Sequence, residues 1–239
     1  MATDQDSEAF YEGSDLEALS DLPNYYGWIA SMLDPRGDTL EVGAGIGNFT
    51  ASYRARVGRL ALVEPSQHAS ALAARFMDDP EVEVVRGTLQ QALSVRPDWT
   101  GVFHSLVMVN VLEHVEDDAG LLEHCARALR PEGRLLVAVP ALPWLYGTLD
   151  DLVDHVRRYT RRSLRAVAEQ AGFEVRSVRY FDALGVAPWF VTGRILRSRS
   201  FHRGAAQLYD RVGVPLTRRA ERLVPPLLGK NVALVATRR

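Results

Sequence analysis

The chain is short of cysteine, lysine and long apolar runs, and each shortage excludes something. Cys125 is the single cysteine among 239 residues, which removes an intrachain disulfide framework and any multi-cysteine zinc site. A reducing, cytoplasmic setting is therefore the expected one. Lys230 is the only lysine, so nearly all positive charge is arginine; that is a statement about codon usage, not mechanism. The longest weakly polar run, near residues 183–193, is too short to span a bilayer. Met1 to Asp6 show neither a basic nor an apolar leader pattern, so no signal peptide is expected. A strong charge of one sign is also lacking: the net charge is −2 and the pI near 6.3, which disfavours a general polyanion binder.

What is present is apolar content of 47%, enough for the core of one ordinary domain. Short apolar runs without clean alternation fall at 39–43, 59–64, 81–85, 102–110, 134–139, 174–180 and 232–237, as strands covered on both faces would. Helical spacing separates them: Ile46, Phe49, Tyr53 and Val57 after the first run, Leu121, Leu122, Cys125, Ala128 and Leu129 after the fourth, Leu164, Val167, Ala168 and Ala171 before the sixth. A further helix is expected near 25–33. This alternation predicts an α/β fold with a mainly parallel sheet.

Two segments break the rhythm. Residues 1–21 carry seven acids and no base, so 1–24 is read as an acidic N-terminal segment or lid. Residues 182–230 carry nine bases and three acids, with prolines at Pro188, Pro215, Pro225 and Pro226. That stretch predicts a helical insertion of two or three helices between the last two strands, capping the substrate side of a single domain over 25–239.

The most informative stretch is Leu40-Glu41-Val42-Gly43-Ala44-Gly45-Ile46-Gly47-Asn48, a buried strand running into a glycine turn that opens a helix. Glycines at alternate positions let a ligand lie against bare backbone. A dinucleotide-binding turn needs Gly-x-Gly-x-x-Gly; counted from Gly43 its third glycine would fall on Asn48, and here it comes one residue early, at Gly47. Glu41, two residues before the first glycine, would repel a pyrophosphate but attract an ammonium group. Glu64 ends the second strand, placed to accept hydrogen bonds from both ribose hydroxyls, each contributing on the order of 1.5–3 kcal/mol. An adenosine carrying an amino-acid tail satisfies all three features, so S-adenosylmethionine (SAM) is the expected cofactor, with S-adenosylhomocysteine as product. The helix after Gly47 would offer N–H groups to the tail carboxylate.

At these residues the chain resembles class I SAM-dependent methyltransferases, and among them the ubiquinone/menaquinone-type branch and relatives found near glycosyltransferases. Glu41 to Gly47 resemble the first motif of that class, and Glu64-Pro65-Ser66 its ribose-binding acid and the residues after it. Asn110-Val111-Leu112-Glu113-His114-Val115 is similar to the motif after the fourth strand, and Arg130-Pro131-Glu132-Gly133-Arg134-Leu135-Leu136 to the turn into the fifth. The resemblance implies a Rossmann-like seven-stranded, mostly parallel sheet with helices on both faces, the last strand antiparallel, and SAM at the carboxyl ends of the strands. It also carries Ala44, Pro65, Ser66, Asn110 and Val111 to the cofactor site. Where the family commonly has Asp for the adenine amino group, this chain has Gly87-Thr88-Leu89, with Thr88 as a neutral substitute.

Methyl transfer needs a nucleophile held in line behind the methyl and, for a hydroxyl or protonated amine, a base. His155, in the loop after the fifth strand, is the first candidate base, with Asp154 or Asp151 to orient its ring. His114 is the second. Tyr159, Tyr146 and Trp144 are candidates for the pocket wall, Tyr159 also for the catalytic set. No ligand spacing along Asp150, Asp151, Asp154 and His155 supports a metal, so none is expected. Arg157, Arg158, Arg161, Arg162 and Arg165 are expected to face an anionic group on the substrate or on the acidic N-terminal segment.

The expected activity is transfer of a methyl to oxygen or nitrogen of a small-molecule acceptor, of natural-product or sugar-tailoring type. A nucleic-acid methyltransferase is one alternative, disfavoured because the Asn/Asp-Pro-Pro-Tyr/Phe motif is absent after the fourth strand. A SAM-binding protein of this fold that transfers no methyl is another. Peripheral membrane contact by the insertion is permitted by Trp189, Phe190, Ile195 and Leu196 but not predicted, and nothing in the sequence sets the oligomeric state.

Overall fold

The structure is a computed structural model that describes residues 22–200 and 202–239. Of the acidic segment 1–24 expected to act as a lid, residues 1–21 lie outside the described residues, while Pro23 and Asn24 already belong to the first helix. In chain order the strands are β1 (Thr39–Val42), β2 (Leu60–Glu64), β3 (Val82–Arg86), β4 (Phe103–Val109), β5 (Leu129–Pro140), β6 (Phe173–Phe181) and β7 (Asn231–Arg238). The helices are α1 (Pro23–Leu33), α2 (Asn48–Tyr53), α3 (His68–Arg75), α4 (Leu89–Val95), α5 (Asp118–Ala128), α6 (Thr148–Leu152), α7 (Arg161–Gln170), α8 (Val186–Phe190), α9 (Arg203–Leu208) and α10 (Val214–Leu223).

One seven-stranded sheet has the order β3-β2-β1-β4-β5-β7-β6. Pairings from β3 through β5 are parallel, and β7 inserts antiparallel between β5 and β6. This is the Rossmann-like sheet expected. The chain winds outward from β1 through β2 to β3, then returns to the other side of β1 as β4. The carboxyl ends of β1 and β4 therefore flank a topological switch point, where open α/β sheets bind ligands.

Period-2 alternation sorts the side chains into two apolar layers. Leu135, Val137 and Val139 of β5 join Leu89, Leu93, Leu122, Cys125, Leu164 and Ala168 on the face covered by α4, α5 and α7. Leu136 and Ala138 join Trp28, Ile29, Leu33, Phe49, Tyr53, Leu72 and Val214 on the face covered by α1, α2, α3 and α10. Both faces of β1 and β2 are buried along their whole length, which is why those strands read as unbroken apolar runs.

Between β6 and β7 lie two helical runs. α8 continues through wide π-type turns over Val191–Ile195. α9 and α10 join through a second such stretch, Tyr209–Gly213, just before Pro215. Pro215 has no N–H to give to the preceding turn and its ring crowds the carbonyl four residues back, so the helix widens there. The insertion is tied to α1 by Asp210. Its Oδ1 accepts from the Tyr25 backbone N–H at 2.8 Å and its Oδ2 from that of Asn24 at 3.2 Å. Leu22, at the N-cap position of α1, offers no capping side chain, so Asp210 supplies the cap from the far end of the chain. Asn231 of β7 donates to the Tyr25 hydroxyl at 2.9 Å, closing the same junction. No helix among the described residues is long and apolar enough to cross a membrane.

Candidate active site

The glycine turn leaves β1 with Gly43, Gly45 and Gly47 all at positive φ, +71°, +56° and +83°. The three are glycine for different reasons. A Cβ on Gly43 would overlap Val111 Cγ2, and one on Gly47 would stand 2.7 Å from Phe76. Only at Gly45 would a Cβ meet open space, so Gly45 is the bare backbone that a ligand can approach. Gly43 and Gly47 make room for Val111 and for Phe76 and Leu72. The buried Ala44 anchors the turn by donating to the Val63 carbonyl at 3.3 Å. The helix that follows, α2, has only six residues before tightening into a 3₁₀ turn.

Glu64 holds this turn in place. Its Oε2 accepts from the Gly45 N–H at 2.7 Å and its Oε1 from the Ser66 N–H at 2.9 Å. An ionised carboxylate has about four acceptor sites, so these two bonds leave it capacity for further donors. Pro65 carries the chain outward and is exposed, while the Ser66 hydroxyl accepts from the His68 N–H at 3.1 Å at the start of α3. Glu41 is buried and points at α2: its Oε2 accepts from Thr50 at 2.8 Å and from Tyr53 at 2.5 Å. Burial pushes its carboxyl up to about 7, although the Tyr53 and Thr50 bonds oppose the rise. A buried carboxylate held this high gains from a cation brought beside it, such as an ammonium group.

The adenine side differs from the expectation. Thr88 is the N-cap of α4: its hydroxyl accepts from the Gln91 N–H at 3.3 Å while the Gln91 side chain accepts from the Thr88 N–H at 2.8 Å. Leu89 is 1% exposed and belongs to the core, so it offers no surface to adenine. Gly87, at φ +144°, packs beside the Gln91 side chain and donates its N–H to the Glu64 carbonyl. The Thr-x-x-Gln spacing is a capping-box signal. Asn110 lies just past β4, exposed and at φ +54°, its N–H on the Ala138 carbonyl. Val111 beside it fills the space under Gly43.

A second polar group lies at the same edge of the sheet. His155 is buried, its Nδ1 2.8 Å from Asp150 Oδ1 and its Nε2 3.7 Å from Glu113 Oε1. Asp150 is therefore the group that orients the ring, in place of Asp151 or Asp154. Asp151 instead meets the Tyr146 hydroxyl at 2.9 Å, and Asp154 offers its carbonyl to His114 Nδ1 at 3.2 Å. Arg158 Nε donates to Asp150 Oδ1 at 2.7 Å. Burial pushes Asp150 up, yet the His155 and Arg158 contacts outweigh it and hold the carboxyl below its ordinary value. The His114 and His155 rings meet edge to face at 4.8 Å, and burial, with His155 beside it, lowers His114 to about 4. His114 is thus neutral at physiological pH.

Glu113, which the sequence reading passed over, is fully buried, and neither of its oxygens accepts a hydrogen bond from another residue. Burial pushes its carboxyl up to about 8. Its signal was an acid between apolar neighbours Leu112 and Val115, directly beside His114. Tyr159 is buried, with its hydroxyl 2.7 Å from Asp118 Oδ2 and 3.2 Å from the Leu112 carbonyl; it braces the loop that carries Glu113.

The arginine cluster is largely spent on internal partners. Arg157 pairs with Asp118 at 2.9 Å, and Arg158 pairs with Asp150 and lies over the Trp189 ring at 4.9 Å. Arg161 lies over Tyr180 at 4.9 Å, and Arg165 pairs with Glu169 at 3.2 Å. Trp144 packs its ring on Phe190 of the insertion. The loop after β5 and the insertion thus share one wall.

Residues 15–178 match the family model described as a methyltransferase domain. A protein of Mycolicibacterium smegmatis described as "Probable S-adenosylmethionine-dependent methyltransferase" is 31% identical over 153 residues, which are 62% of this chain and 54% of that protein. The chain thus spans about half the length of that curated relative. A solved structure from Thermotoga maritima, described as a "possible histamine N-methyltransferase", is 19% identical with a TM-score of 0.60, over 92% of this chain and 91% of that one. The [4+2]-cyclase SpnF gives 16% identity and a TM-score of 0.60, over 90% and 81% of the two chains. These last two share the fold. A turn with one open glycine, pinned by Glu64 at the switch point, and a family match over most of the chain place this protein in the class I SAM-dependent methyltransferase family, whose cofactor is S-adenosylmethionine.

Proposed function

We propose that this protein transfers a methyl group from SAM to an oxygen or nitrogen of a small-molecule acceptor. The observation that carries the reading is the placement of the Glu64-pinned Gly45 turn and the Glu113–His114–His155 cluster at one edge of the sheet, on either side of Asn110 and Val111. When bound, SAM supplies a methyl made electrophilic by its sulfonium. The chain's own residues then have separable tasks. Gly45 admits the ligand, Glu64 takes the ribose, Glu41 faces the ammonium group, and Val111 fixes the shape of the turn. The cluster after β4 orients the acceptor and removes its proton as a unit, with Asp150 and Arg158 holding His155 in place.

The insertion with Trp189 and Phe190, together with Trp144 and Tyr146, forms the cover over the acceptor. A covered, partly apolar wall favours a compact acceptor over a nucleic acid, and the paired arginines weaken the case for an anionic group on it. Purified protein incubated with methyl-labelled SAM and a panel of hydroxylated and amino acceptors tests the reading. Label must reach an acceptor and S-adenosylhomocysteine must accumulate; binding of S-adenosylhomocysteine with no transfer to any acceptor class would sink it. The likeness to SpnF, a cyclase on this fold, favours one second reading: a protein that uses the fold without methyl transfer. Natural-product or sugar tailoring in the cytoplasm is the setting proposed for the first.

A further inference from the structure

The side chains around His155 leave one buried carboxyl without a partner, that of Glu113. Asp150, kept ionised by Arg158, accepts from His155 Nδ1, so in the neutral ring Nε2 carries the lone pair. That nitrogen faces Glu113 Oε1 at 3.7 Å. Both oxygens of Glu113 lie buried there and accept nothing from another residue. Buried polar groups without partners are costly, and a cation between Glu113 and His155 would engage both.

The rest of the cluster fits a metal ion. The ligating atoms of Glu113, His114 and His155 lie within 4.8 Å of one another. Ligands at about 2.0–2.2 Å from a metal stand roughly 3–4 Å apart, so small side-chain rotations close the set. Both histidines have Nδ1 engaged, one by the Asp150 carboxylate and one by the Asp154 carbonyl. This is the outer support that fixes tautomer and raises basicity in metal-bound imidazole. Asp154 adopts φ +52°, a left-handed conformation next to His155 in the loop that presents this carbonyl.

We propose that Glu113, His114 and His155 form a binding site for one divalent transition-metal ion, with two imidazoles and a carboxylate as ligands and positions left open on the ion. That ligand set selects zinc or its first-row neighbours over magnesium. An acceptor hydroxyl bound at an open position would be acidified, as metal-bound water is. This last role rests on the methyltransferase reading; the site itself does not.

The full-length untagged protein, stripped with chelator, is titrated calorimetrically with Zn²⁺ and with Mg²⁺, and with Co²⁺ by visible absorption. One equivalent of Zn²⁺ is expected, bound at least about 100-fold more tightly than Mg²⁺, with Co²⁺ giving ligand-field bands. Glu113→Gln and His155→Ala should each weaken Zn²⁺ by about 100-fold or more, while S-adenosylhomocysteine binding stays near wild type and reports an intact fold. Absence of Zn²⁺ binding by the wild type overturns the proposal, leaving a proton shared by Glu113 and His155. Undiminished binding by Glu113→Gln overturns it equally, and that near-isosteric variant keeps the test valid if His155→Ala fails to fold. Zn²⁺ binding by a protein that ignores S-adenosylhomocysteine would uphold the site and defeat the methyltransferase reading separately.

Discussion

Around the glycine turn, each bond joins near neighbours or adjacent strands: Glu64 reaches Gly45 and Ser66, Thr88 caps its own helix, and Val111 fills the space beside Gly43. Across the acceptor cover, the bonds leap along the chain. Asp210 caps a helix that begins at Pro23, Arg158 lies over Trp189, and the Thr148 hydroxyl donates to the carbonyls of Gly193 and Ser198. The first region is shaped by backbone conformation and the second by side chains brought together from distant segments. A site of the first kind survives exchange of its exterior, while one of the second kind can be remade by a few substitutions.

Five perturbations break or sharpen that contrast, and the largest falls on the acceptor side. Arg158→Ala leaves Asp150 buried beside His155 without its guanidinium, a loss expected to cost about 3–5 kcal/mol in urea unfolding. S-adenosylhomocysteine affinity should hold, and a parallel loss there would erase the division between the regions.

Gly43→Ala reverses the pattern. Positive φ costs a side-chain-bearing residue about 1–2 kcal/mol, and overlap with Val111 adds about 1–3 kcal/mol. Cofactor affinity measured by calorimetry should fall by about 100-fold or more. An unchanged affinity would mean that the turn tolerates distortion.

Glu41 supplies the pH test. Its carboxyl in the cofactor-free fold sits at about 7, above its ordinary 4.5, so the stability it contributes is full below about pH 4.5 and is lost as pH rises through 7. The unfolding free energy of the cofactor-free protein, from urea titrations, should decline across that window by up to about 3 kcal/mol. In Glu41→Gln the decline should flatten. Cofactor affinity should rise over the same window in wild type only, because the ammonium group favours the ionised acid.

Asp210→Ala should cost about 1–2 kcal/mol, the usual loss of a helix cap. In steady-state assays it should raise the acceptor KM more than the SAM KM. Arg161→Ala, an exposed residue over Tyr180, should cost no more than about 0.5–1 kcal/mol and leave KM values alone. A large KM effect would restore the anion-facing role first expected of the cluster.

The contrast also explains what the sequence could reveal. The central strands β1, β2 and β4 were legible because they are buried on both faces and therefore nearly all apolar, whereas β6 is half exposed and carries charged residues. Glu64 was legible because strand length and turn spacing put it opposite the glycines. The capping role of Thr88 was not separable from a ligand contact, because both call for the same hydroxyl in the same place. Asp150 was missed as the partner of His155 because Asp150, Asp151 and Asp154 all fall within one or two turns of the chain, and only the fold chooses which carboxylate turns inward. Glu113 and His155 carry no shared spacing, since their meeting depends on where the ends of β4 and β5 lie side by side.

Asp210 has one more implication. Because the first turn of α1 is completed by a residue near the opposite terminus, a foreign cover grafted between 182 and 230 would arrive without the carboxylate that closes that helix end. Chimaeras built from related enzymes should accordingly exchange Pro23 to Tyr25 together with the cover, or restore an acid at position 210. Donor domains can be sorted by that criterion before any gene is made.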